Sequence, residues 1–294
     1  MRNVKTLLLA VAATVSLSTL AACGGDGSGE GAGNASAGSF GECETYGEKG
    51  SISLDPITEG VLTVQTNLPS PGWWKGETPE TTTGGYEFCL AVNIAHRAGL
   101  DSVRVENVSF DALVAGQTQG YDMAMAQISV TPEREEVVAF SAPYFDSNLG
   151  VLAPSDTEIT EDTLRDAEIG VQVGTTAVTW AQSTLQPSEE PQLFQDTTSM
   201  VTGVSSGIAD AVVQDTAIML GFAKNSGGSL EVVGQFETGE HYAAIYPQDS
   251  SNGDAVSGAI EAMREDGTLD KLSATWLGPE LGGDPAAVPV WTLK

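Results

Sequence analysis

Basic residues are scarce in this chain. Twelve Lys and Arg stand against forty Asp and Glu, a formal net charge of −28, and there are only two His. A nucleic-acid partner is excluded on that ground, because binding phosphate chains requires clustered Lys and Arg. The two His and three Cys lack ligand spacing, so neither a metal nor a cofactor is expected. After the first two dozen residues no apolar run is long enough to cross a bilayer. The acidity itself implies a well-solvated surface.

The start of the chain reads as an export signal. Arg2 and Lys5 precede an apolar run from Leu7 to Leu20 that ends in small residues. The signal is placed at 1–22, because Leu20-Ala21-Ala22-Cys23 resembles the lipobox of bacterial lipoproteins. That resemblance implies cleavage before Cys23 and acyl chains, palmitate among them, holding the chain to the outer face of the cell membrane. A plain secretory signal with an incidental Cys23 is the alternative. Residues 23–50 are expected to be a flexible Gly/Ser-rich tether with a reach of roughly 25 Å. Cys43 and Cys89 remain, and outside the cytoplasm an even pair suggests a disulfide, a buried free Cys89 being the alternative.

From Val61 onward, short β-rich runs alternate with helical ones. Strands are expected at Val61–Thr66, Val103–Val108, Tyr121–Ile128, Ile169–Val173 and Ala211–Gln214. Helices are expected at Tyr86–Ala98, Phe110–Gln117, Pro132–Ala139, Thr176–Leu185, Ser199–Gly207, Thr216–Lys224 and across Asp254–Trp276, with a break at Asp266-Gly267. Such alternation predicts an α/β fold of two lobes, each a mainly parallel sheet flanked by helices. The first lobe is placed at 57–150 and 246–294, the second at 151–245.

In open parallel sheets, ligands sit beyond the carboxyl ends of the strands. Those ends carry Trp73-Trp74, Phe110, Gln127, Ser129 and Arg134 in the first series, and Gly174-Thr175-Thr176 and Gln214-Asp215 in the second. Arg134 is conspicuous. Thr131-Pro132 opens a helix, and the first turn of a helix favours anions. Its neighbours three and four positions away are Val130, Thr131, Val137 and Val138, so no helical carboxylate pairs with it. A planar guanidinium suits a carboxylate, the amides after Gly174 suit an anion, and Asp215 suits an ammonium. Together they would detect a zwitterion. Taken singly, Asp215, Thr175 and Thr176 read equally well as helix caps, and Trp73, Trp74 and Phe110 as core.

These residues, in this order, resemble the amino-acid-type solute-binding proteins of bacterial ABC importers. The likeness runs from about Gly60 to Gly278 and is strongest in "DMAMAQISVTPEREEVVAFSAPYFDS". Further matches are "GGYEFCLA", "SFDALVAGQTQGYD", "GVQVGTT", "DAVVQD" and "REDGTLDKLSATWLG". The resemblance implies a monomeric receptor, not an enzyme, that closes two lobes on an amino acid and delivers it to an ABC permease. It further implies that Ser129, Arg134 and Thr176 hold the α-carboxylate and Asp215 the α-ammonium. Phe110 would flank the side chain, with Gln127, Gln172 and Gln214 lining the pocket. Two departures stand out. An insertion, "NLPSPGWW" onward to Gly84, replaces the usual aromatic, so that contact falls on Trp73 or Trp74. Cys89 replaces an acid.

Rival readings exist. Gly203-Val204-Ser205-Ser206-Gly207 matches the G-x-S-x-G pattern of a hydrolase elbow, with Asp210 or Asp215 and then His241 following in hydrolase order, but the stretch reads as helix where an elbow needs a preceding strand. A dehydratase of the same fold would need a general acid, for which Glu87 is the candidate. A sensory receptor that transports nothing is the third alternative.

Overall fold

A computed structural model of the chain describes residues 40–293. The export signal, Cys23 and the first part of the tether lie outside the described residues. From Phe40 on, the expected tether is instead packed structure. Phe40, Cys43, Tyr46, Ile52 and Leu54 lie against the core of the first lobe, and Cys43 is disulfide-bonded to Cys89. Apolar side chains and a covalent tie end the slack that glycine composition alone predicts.

The first sheet contains β1 (Val61–Thr66), β2 (Ser102–Asn107), β3 (Met123–Ala124), β4 (Ala139–Phe140) and β10 (Ile245–Tyr246), in the order β2-β1-β3-β10-β4. The second contains β5 (Phe145–Pro154), β6 (Ile169–Gln172), β7 (Gln192–Phe194), β8 (Ala211–Asp215) and β9 (Leu230–Tyr242), in the order β7-β6-β8-β5-β9. Both sheets are mixed, and each is mainly parallel as expected, with a single strand, β10 or β5, running against the other four. β1 pairs in parallel with β2 and β3, and β6 with β7 and β8, whereas β10, β5 and β9 run antiparallel to their neighbours. The parallel half is the part joined by strand–helix–strand units, which is the part that alternation reveals.

The helices that matter for the site follow strand ends. They are α1 (Tyr86–Arg97), α2 (Phe110–Val114), α3 (Pro132–Glu135), α4 (Thr176–Trp180), α5 (Thr197–Ser205) and α6 (Thr216–Asn225). α1 is buried along nearly its whole length, which its unbroken apolar run from Phe88 to Val92 requires. α3 is shorter than the pattern suggests, because the chain turns at Val137 and Val138 to place Ala139–Phe140 in the sheet.

Two strands connect the lobes. The start of β5 pairs with the end of β9, with Phe145, Asp146 and Ser147 opposite Tyr242, His241 and Glu240. Ser129 of the first lobe bridges to Tyr242. The tail returns to the second lobe, not the first. Val290 bridges to Gln235, the Trp291 amide donates to Gln235 O at 2.8 Å, and its ring lies edge-on to Phe236 at 5.9 Å. The apolar Trp291 finds its cover there, so the expected extent of the first lobe to 294 is too long.

Candidate functional site

The strand ends of the two lobes face one another across a cleft. Asn67, Pro69, Ser70, Phe110, Ala126, Gln127, Ser129 and Arg134 line it from the first lobe. Gln172, Thr175, Thr176, Thr197, Gln214, Asp215 and Ile218 line it from the second. The space is narrow: the centre of a water-sized sphere can sweep about 20 Å3 of it, room for little more than one water.

Arg134 is 7 % exposed and Asp215 4 %. Thr131 caps α3 and accepts the Arg134 amide on its side chain at 3.3 Å. The guanidinium turns back over the cleft, with Phe110 beneath it at 5.5 Å. One arm donates to Ser129 O at 2.6 Å and the other to Gly174 O at 2.9 Å, so a single side chain ties both lobes. Burial pulls its pKa down, and the fields of Asp215 and Glu240 pull it back up. The anions missing from its own helix are supplied by the other lobe and by β9.

Asp215 ends β8 and precedes α6. Burial pushes its carboxyl up to about 8, with Glu240 adding to the rise and the Tyr242 hydrogen bond and Arg134 opposing it. Gln172 Oε1 accepts from Thr197 Oγ1 at 2.7 Å and from Gln214 Nε2 at 3.3 Å, making a neutral polar wall. Thr175 precedes α4 and donates its hydroxyl to Gln172 O at 2.7 Å.

Gln127 lines the cleft, but both polar ends of its side chain are bonded within the protein. Its backbone is left-handed at φ 51°. Its amide N–H donates to Glu87 Oε1 at 2.8 Å, its Nε2 donates to Glu87 Oε2, and its Oε1 accepts from Ser70 at 2.7 Å. Glu87 also accepts from Trp74 Nε1 at 2.7 Å and from the Tyr144 hydroxyl. A fully buried carboxyl so enclosed is no acid for a substrate in the cleft.

Trp73 and Trp74 are not brought to the cleft, contrary to expectation. Both are core residues, 0 % and 1 % exposed. Trp73 packs edge-on against Tyr86, Phe145 and Tyr242, with centroids 5.6, 4.9 and 5.4 Å away. Pro69 and Ser70, earlier in the insertion, take the place at the wall. The bulk of two indoles is what the core can use, and a turn of small residues is what can approach the other lobe. Ser205 sits at the end of α5 and its hydroxyl donates to Val201 O at 2.8 Å, so no strand-borne elbow forms.

Sequence reasoning overlooked two groups, Tyr242 and Glu240, both on β9. No helix follows that strand, since the chain passes straight on to β10, so alternation does not signal its carboxyl end.

The sequence profile of the bacterial extracellular solute-binding proteins, family 3, matches residues 62–279. The chain belongs to that family. As a family 3 solute-binding protein it resides outside the cytoplasm, and among the described residues no helix is long and apolar enough to cross a membrane. It is 26% identical over 283 residues to the L-cystine-binding protein TcyA of Bacillus subtilis, covering 94% of this chain and 99% of that one. It is 29% identical over 251 residues to the glutamate-binding protein GluB of Corynebacterium efficiens, covering 79% and 84%. Among solved structures it resembles an ancestral arginine-binding protein bound to glutamine, at TM-score 0.68 and 27% identity, covering 75% of this chain and 99% of that one.

Proposed function

We propose that this protein captures a free α-amino acid, or a close amino-acid-like solute, by closing two lobes around it and delivers it to the permease of an ABC importer. One observation carries the reading: a buried guanidinium from one lobe and a buried carboxyl from the other line the same cleft. Relatives named for cystine, glutamate and arginine bind different side chains that share one α-amino and one α-carboxyl group.

In this reading Ser129, Arg134 and Thr176 take the carboxylate, and Asp215 takes the ammonium. Phe110, Gln172, Thr175 and Gln214 border the side chain, while Gln127 shapes the wall through its backbone. Closure excludes water and strengthens both charge pairs, whereas a charge buried without a partner is costly. Binding and closure are thereby linked. The chain acts without catalysis, as a monomer, tethered by lipid on Cys23.

A thermal-shift screen against the common L-α-amino acids and L-cystine tests this. At least one should raise the melting temperature, and Arg134→Ala and Asp215→Ala should each abolish the rise. Loss of no response in either variant would refute the assignment of the site.

A further inference from the structure

Glu240 occupies an unexpected position. Its Oε2 accepts from Ser129 Oγ at 2.5 Å and from Thr176 Oγ1 at 3.0 Å. One donor belongs to the first lobe and the other to the second. They are two of the groups that the proposed function assigns to a solute carboxylate. A carboxylate oxygen of the protein's own already sits between them, within the field of Arg134.

The backbone explains how it gets there. β9 pairs with β5 at Phe236↔Leu149 and again at Glu240↔Ser147, so residues 237–239 bulge opposite Asn148 alone. Gly239 lies in this bulge at φ +67°, with open space where a Cβ would be. Bulges re-aim the side chain that follows them, and here that side chain is Glu240. It also lies on one of the two strands connecting the lobes, so its position and their relative rotation are coupled.

We propose that Glu240 is a built-in competitor for the carboxylate seat, a specificity-determining residue that a solute must displace with its own carboxylate. The inference rests on the amino-acid reading of the cleft and names what the site demands of a solute. A monoamine lacks the group that evicts Glu240. An α-amino acid brings a carboxylate to Ser129 and Thr176 and an ammonium to Asp215 at once. Until it does, Glu240 bridges the lobes and favours their closure. Affinity is reduced by the fraction of time Glu240 holds the seat, so 90% occupancy costs about tenfold.

The test is Glu240→Ala in the full chain, with Glu240→Gln as a second variant that keeps the shape and removes the charge. Dissociation constants are measured for the common L-α-amino acids and L-cystine, and the lobe-to-lobe distance by a pair of spin labels in amino-acid-free buffer. The expected result is about tenfold tighter binding in Glu240→Ala, a smaller gain in Glu240→Gln, and a longer lobe-to-lobe distance without solute. Weaker binding would make Glu240 a direct solute contact and overturn the proposal, as would an unchanged affinity. If no amino acid binds the wild type, the function reading fails by itself. The distance measurement still decides whether Glu240 holds the lobes together, and an unchanged distance overturns the proposal.

Discussion

The phenol of Tyr242 donates to Asp215 Oδ2 across 2.5 Å and receives a hydrogen bond from Ser147 Oγ at 2.9 Å. Trp73 fixes the ring edge-on, so a core tryptophan sets the direction of the donor to a carboxyl that lines the cleft. Asp215 therefore has one strong partner before any solute arrives, yet its carboxyl stands at about 8 against an ordinary 3.8.

Proton release on binding is the first expectation. At pH 7 the Asp215 carboxyl is mostly protonated, and an incoming ammonium favours the ionised form, so the proton leaves. Calorimetry in buffers of different ionisation enthalpy should find close to one proton released at pH 7, fading above about pH 8. Affinity should rise with pH up to that point, approaching tenfold per unit below it. Stability without solute follows the opposite sign. The folded state keeps a proton that the unfolded chain loses above about pH 4, so this group's contribution is full below that pH and is lost as pH rises toward 8.

Gly174→Ala should hold the lobes apart. Gly174 has φ +77°, and a Cβ there would lie 3.0 Å from Asp111 Cα of the first lobe. The left-handed backbone alone costs roughly 1–2 kcal/mol for a side-chain-bearing residue. Small-angle scattering should show a more open particle, and amino-acid affinity should fall about tenfold or more.

Glu87→Ala should damage stability and binding together. It strips the partner from Trp74 Nε1, the Tyr144 hydroxyl and both Gln127 donors. Buried donors left without partners cost about 1–3 kcal/mol each, so urea unfolding should show a loss above ~3 kcal/mol. Glu87→Gln keeps the shape and some acceptors, and it should lose less. Retained affinity in a folded Glu87→Ala protein would show that Gln127 keeps its left-handed turn unaided.

Reduction of Cys43–Cys89 should affect stability alone. The closed loop, with a sequence separation of 46, corresponds to about 4 kcal/mol in the chain-entropy account. Neither cysteine lines the cleft. Reductant should lower the urea midpoint and leave the dissociation constant unchanged.

Much of this molecule is local and therefore written in the chain. Val61–Thr66 forms a strand as its alternation predicts, α6 begins at Thr216 where its apolar period begins, and Thr131-Pro132 opens α3. The convergence of Phe110, Ser129, Arg134, Thr176 and Asp215 on one cleft was also legible, because parallel strands deliver their carboxyl ends to one edge. Tertiary structure alone decided the rest. Which aromatic faces the cleft depends on how the 68–84 insertion folds, and the need to fill the core drew in Trp73 and Trp74. Glu240 reaches Ser129 and Thr176 through a bulge in a strand paired with a segment nearly a hundred residues earlier. Tyr242 reaches Asp215 by the same long-range pairing. Periodicity registers which face of an element is buried, but not which distant group that face will meet.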